Sequence, residues 1–187
     1  YLATVLEKSL GLVPQPKPIS IMVTKNGVEV SESAKMLESN KGNASLKFMV
    51  KEEFLPLPLP TTEVPITDNV QFIKVTGLKK GIYALTIDNQ LVITASEKKW
   101  AEGIALTQGP AFNQVNQLQE MILKKNEQFF FQYRPLNRTY ILGFRSYEQG
   151  RHAKGLEEQS LIIKWLEGQI ALHSSPKSRV YQLSPVK

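Results

Sequence analysis

I-Y-A-L-T-I-D-N-Q-L-V-I-T-A, residues 82–95, decides the fold of this chain. Two runs, Ile82 to Ile87 and Leu91 to Ala95, flank Asp88-Asn89-Gln90 and read as a β-hairpin. Ile82, Ala84 and Thr86 fall on one face of the first run. Tyr83, Leu85 and Ile87 fall on the other, which is the more apolar and so the one to bury.

Upstream the pattern stays β-rich. Ile19 to Thr24 and Val28 to Ser31 flank Lys25-Asn26-Gly27, and Asn-Gly is a strong hairpin signal. The stretch from Ala34 to Asn43 is polar and undecided, whereas Leu46 to Val50 alternates as a strand does. L-P-L-P-L-P, residues 55–60, removes a backbone donor at every second position and fits only an edge or an extended connector. Val70 to Val75 is a further strand, and Gly77 begins the turn before residue 82. After the central hairpin, Ser96 with Lys99 and Trp100 predicts a short capped helical turn closed by Gly103.

Gly109-Pro110 marks the change to helix. Val115, Leu118, Met121, Ile122 and Phe129 define one apolar face, and Leu156, Ile162, Ile163, Trp165, Leu166 and Ile170 define a second. They predict an antiparallel helical pair, followed by a terminal strand at Val180 to Leu183 that pairs back onto the β module. At the other end Leu2, Val5, Leu6 and Leu10 share a helical face, Gly11 supplies a C′ residue, and Pro14, Pro16 and Pro18 stop continuation. The expected class is α+β: a short N-terminal helix (1–12), a linker (13–18), an antiparallel, sandwich-like β module (19–108), then the long helices and terminal strand (109–187).

The 187 residues, 42% of them hydrophobic, can bury a core for one or two domains. No stretch reaches the roughly 20 apolar residues of a membrane-spanning helix. The absence of cysteine excludes disulfides, thiolate metal sites and Cys nucleophiles. Net charge is +6, and its distribution is uneven. Residues 1–109 hold 12 Lys/Arg against 11 Asp/Glu, whereas residues 110–187 hold 11 against 6. The excess gathers in Y-R-P-L-N-R-T-Y-I-L-G-F-R-S-Y-E-Q-G-R-H-A, residues 133–153, the connection between the two helices. Arginine forks and aromatic faces there could hold a sugar, carboxylate or phosphate group. Equally, the same residues could pin the hairpin tip against another segment through ion pairs to Glu148 and hydrogen bonds from Asn137. Arg134, Asn137, Tyr140, Arg145, Glu148 and Arg151 are the candidate contact residues.

No catalytic constellation can be assembled from the chain. It lacks a G-x-S-x-G elbow and a Gly-Asp-Ser motif, and its two histidines, His152 and His173, have no acid partner at a motif spacing. A metal site would need more ligands than two isolated histidines supply, although carboxylates could add to them, and no Gly-rich loop follows a strand to hold a nucleotide. No cofactor is expected. Basic charge alone admits nucleic acid, but no recognised motif accompanies it.

Three segments together resemble a bacterial group of the SGNH (GDSL-type) hydrolases. They are R-P-L-N-R-T-Y-I-L-G-F-R-S-Y-E-Q-G-R-H-A (134–153) with the later H-S-S-P-K-S-R-V-Y-Q-L-S-P; G-L-K-K-G-I-Y-A-L-T-I-D-N-Q (77–90); and the opening Y-L-A-T-V-L-E-K-S-L-G. The resemblance implies ester hydrolysis by a serine with a His–Asp pair and an oxyanion hole. It also implies that the blocks carrying those residues lie before Tyr1, so that this chain alone is not catalytic. In that reading residues 1–12 are the last helix of an upstream hydrolase domain, and the chain is its C-terminal accessory part. Its partner is an N-terminal SGNH catalytic domain or chain, its substrate an acylated carbohydrate, and its compartment periplasmic or secreted. The alternative is a non-catalytic binding module for an acidic glycan or a protein partner.

Overall fold

A computed structural model describes residues 9–11, 17–24, 27–40, 45–57, 71–133 and 153–186. In chain order the elements are β1 (Ile19–Val23), β2 (Val28–Val30), β3 (Ala34–Asn40), β4 (Ser45–Val50), β5 (Gln71–Thr76), β6 (Ile82–Ile87) and β7 (Gln90–Ser96). There follow α1 (Glu97–Glu102), β8 (Ile104–Leu106), α2 (Pro110–Tyr133), α3 (Ala153–His173) and β9 (Arg179–Pro185). The fold is α+β.

β6 and β7 form the expected hairpin. Asp88 (φ 49°) and Asn89 (φ 67°) both occupy the left-handed region, the signature of the type I′ turn that matches strand twist. Tyr83, Leu85 and Ile87 are buried, as the alternation requires. The register slips between Leu85↔Ile93 and Thr86↔Leu91, so Val92 is an extra residue in a bulge, and it too is buried.

The strands make two sheets, ordered β2-β1-β5-β8 and β3-β4-β9-β6-β7. Most neighbours are antiparallel. One pairing departs from that expectation: β1 runs parallel to β5, with Ile19 opposite Ile73 and Ile21 opposite Val75. Parallel partners need a crossover, and here the intervening chain supplies β3 and β4 to the other sheet. The polar stretch from Ala34 is a strand, β3, held by six paired positions against β4 with one irregularity at Met36/Glu38. The terminal strand is central. β9 lies between β4 and β6, with Leu46 opposite Leu183 and Leu85 also opposite Leu183.

The buried faces of both sheets share one hydrophobic cluster that includes Ile19, Ile21, Ile73 and Val75 from the first and Phe48, Leu85, Tyr181 and Leu183 from the second. The Phe48 and Tyr181 rings stack at 5.4 Å. Each such side chain contributes about 1.5–3 kcal/mol on burial. α1 adds Trp100, which is fully buried and donates its indole N–H to the Tyr83 carbonyl at 3.4 Å. Ser96 occupies the N-cap position with extended backbone, yet its side chain makes no capping bond. Instead the Glu97 carboxylate accepts the Gly81 N–H at 3.0 Å, tying α1 to the turn before β6. Gly103 closes the helix with φ 106°. β8 was not expected. Three residues are too few to show a period.

The chain divides into two compact units, Tyr1–Val115 with Pro176–Lys187, and Asn116–Ser175. In the second unit the apolar face expected on α2 holds only in part. Leu118 is buried and Met121 half-buried, but Ile122 and Phe129 are exposed. The inward row continues as Lys125, Gln128 and Gln132, because helical geometry carries those positions, four or three residues on, under Met121. On α3 Ile163 and Leu166 are buried, whereas Ile162 and Trp165 are exposed. Gln132, near the end of α2, donates to the Ser160 hydroxyl two turns into α3. Residues 1–8 and 12–16 lie outside the described residues. Gly11 does adopt φ 66°, as a C′ glycine does.

Candidate functional site

The six residues singled out from the sequence, Arg134, Asn137, Tyr140, Arg145, Glu148 and Arg151, all lie outside the described residues, as does His152. His173 is described: its Nδ1 meets the Gln169 carbonyl at 2.8 Å, one turn back in α3. Among the described residues no group of three or more His, Cys, Asp or Glu could hold a metal ion.

The densest polar arrangement in the first unit is one the sequence did not announce. Arg179 opens β9 and is only 8% exposed. Its Nη1 donates to Asp88 Oδ2 at 3.0 Å, and its Nη2 donates to Gln114 Oε1 at 2.7 Å and to the Pro110 carbonyl at 3.2 Å. Asp88 is the first residue of the I′ turn, and it also bonds β9 directly. Its Oδ1 accepts the Val180 N–H at 2.9 Å, and its own N–H donates to the Val180 carbonyl at 2.8 Å. One guanidinium therefore joins the β6–β7 turn, the start of α2 and the start of β9. A planar fork suits this three-way contact, where a lysine ammonium would present a point charge.

Beside it, Tyr181 donates its hydroxyl to Glu52 Oε1 at 2.8 Å. Burial pushes the Glu52 carboxyl above the ordinary 4.5, against the opposing effects of the Tyr181 hydrogen bond and of Arg179. Burial and the neighbouring Glu52 carboxylate likewise push the Tyr181 phenol far above its usual range. A shallow cleft borders the pair, lined by Glu52, Pro56, Gln108, Phe112, Arg179 and Tyr181. Chemically the cluster can retain a proton on Glu52, and its chief work is to lock three elements together.

A pH dependence follows with a definite sign. A carboxyl raised in the folded state contributes stability that is present below about 4.5 and is lost as pH climbs through its folded value. Glu52→Gln keeps a hydrogen-bond acceptor for Tyr181 but cannot titrate. The melting temperature of the variant relative to the parent should therefore rise as pH goes from 4.5 toward neutrality. Parallel curves would contradict the assignment.

Comparison with known proteins gives one fold likeness. No protein-family model matches the chain, and no curated protein matches it. Among solved structures, the fold is similar to that of a gut microbial diltiazem-metabolizing enzyme, with a TM-score of 0.69 at 20% identity. The match covers 99% of this chain and 53% of the enzyme's chain, so the present chain spans about half the length of that protein. At this identity the likeness is one of fold alone, and it extends over almost the whole chain.

Proposed function

We propose that this chain is the C-terminal accessory part of an SGNH-type ester hydrolase, packing on or lidding the catalytic part and serving an acylated carbohydrate substrate. The carrying observation is the match of nearly the entire chain to about half of an enzyme. The three resembling segments, including the arginine-rich run 134–153, support the same reading from sequence.

The division of labour follows from chemistry. Acyl transfer needs a nucleophile, a base and donors for the oxyanion. This chain has no Gly-Asp-Ser motif to supply the first. Its contribution in the proposed enzyme is contact: Arg134 and Arg145 as forks for carboxylate or hydroxyl oxygens, Tyr140 as a ring for a sugar face, and Asn137, Glu148 and Arg151 as polar flanks. The catalytic partner is an N-terminal SGNH domain or chain, and the compartment is periplasmic or secreted.

A fluorophosphonate probe applied to the protein purified from its own cells tests this. The expected result is a labelled serine in a Gly-Asp-Ser segment that copurifies with this chain, covalently joined or not. Arg134→Ala with Arg145→Ala should lower ester turnover by about tenfold or more. A preparation with no labelled serine, or unchanged turnover and stability in the double variant, sinks the proposal. Retention of an acidic glycan without any hydrolase would favour the binding-module alternative.

A further inference from the structure

The start of α2 lacks both of the usual ways of closing a helix. Gly109, in the N-cap position, accepts the Asn113 N–H at 3.1 Å but has no side-chain oxygen to offer in return, and the first turn holds no acidic residue. The N–H groups of Ala111 and Phe112 are thereby left without an intrahelical acceptor, at the positive end of a 24-residue helix. Both residues line the shallow cleft bordered by Glu52, Gln108, Arg179 and Tyr181, and all of these belong to the first unit. Arg179 supplies the second observation. It uses Nη1 and Nη2 on Asp88, Pro110 and Gln114, yet its Nε is buried and has no hydrogen-bond partner among the described residues. Nε lies on the same edge of the planar guanidinium as Nη2, which is directed at Pro110, so the unpaired proton faces the first turn of α2. A buried donor in that state calls for an acceptor.

We propose that this corner binds a small carboxylate, one oxygen accepting from Arg179 Nε and the other from the Ala111 and Phe112 N–H groups. Charge decides the class. Asp88 already neutralises the guanidinium at 3.0 Å, which leaves the helix terminus, about half a positive charge. That suits a monoanion and not a phosphate or sulfate dianion. A carboxylate also presents two oxygens in one plane, able to meet donors on two sides. Glu52 sets the pH. Its burial favours the neutral acid, which can donate to the ligand, whereas the ionised form would set a second carboxylate beside the first. The charged or titrating groups around it are Tyr181 and Arg179 on β9, Asp88 in the β6–β7 turn, and Lys17, Lys51 and Glu53 along a neighbouring cleft. The inference stands apart from the ester-hydrolase reading, since it needs no catalytic partner.

Titration of the chain with sodium acetate and with sodium glucuronate tests this, followed by the Nε–H proton–nitrogen resonance of Arg179. At about pH 5.5 the resonance should move saturably, with a dissociation constant in the millimolar range. At about pH 8 binding should weaken by about tenfold or more. Acetate as the tighter ligand assigns a short acyl acid, and glucuronate an acidic sugar. Glu52→Gln, whose amide donates at every pH, should bind at the higher pH as the parent does at the lower. Arg179 also ties three elements together, so Ala111→Pro is the better probe of the site. It removes one donor N–H in the first helical turn, where proline is tolerated, and should weaken binding about tenfold with far-UV circular dichroism unchanged. No saturable shift with either salt overturns the proposal. So do equal shifts with sodium chloride or sulfate, equal affinity at both pH values, and unaltered affinity in Ala111→Pro.

Discussion

Gly77→Ala is expected to cost the first unit about 3–5 kcal/mol, enough to unfold a marginally stable domain. Two effects add. Gly77 has φ 80°, a conformation that an L side chain rarely adopts. An added Cβ would also lie 1.9 Å from the Val23 carbonyl oxygen and 2.9 Å from its carbon. Those are backbone atoms at the end of β1, so no side chain can swing aside. The parallel β1–β5 pair ends at Met22↔Thr76, and relieving the clash would pull that pair open at its end. Urea denaturation should find a lower midpoint with unchanged slope, or a protein recovered only as aggregate. Gly27→Ala, where an added Cβ meets nothing within 4 Å, serves as the control and should be tolerated. Equal stability of the two variants would refute the close approach.

Trp100→Ala should be nearly as damaging, at about 3–5 kcal/mol. Trp100 has no solvent exposure, and truncation leaves a cavity beside the shared core as well as a Tyr83 carbonyl without its indole donor. Trp100→Phe restores part of the volume and not the donor, so its loss should fall between those of the parent and the alanine variant. Equilibrium unfolding measures both. A Trp100→Ala protein within 1 kcal/mol of the parent would mean that α1 is peripheral to the core.

The difference between what sequence disclosed and what it withheld has physical causes. The hairpin around Asp88 and Asn89 was legible because alternation, turn residues and length agree locally. The helices were legible as helices, for the same reason. Their inward faces were legible only in part: Leu118, Ile163 and Leu166 are buried as expected. Phe129 and Trp165 have the composition of core residues, and only geometry reveals that Gln128 and Gln132 take the inward row instead. The parallel β1–β5 pairing was silent because it joins residues more than 50 positions apart with no turn to mark it. The Arg179 cluster was silent too. Asp88 reads as a turn residue, Gln114 as a helix surface and Glu52 as a loop charge, and nothing in their spacing brings them together. A lone arginine opening a short apolar strand was the one available hint.

The position of β9 bears on how this protein is made. The five-stranded sheet has at its centre a strand formed by residues 179–185, and β4, its neighbour on one side, was synthesised more than 120 residues earlier. Until the ribosome has made β9, β4 and β6 have no partner between them, and their inner edges stay open to other chains. The β6–β7 hairpin and both long helices can form early from local contacts. The sheet that unites the β unit must wait. Its folding is therefore dominated by pairings of high contact order and should be slow, with the nascent chain depending on chaperones during that interval.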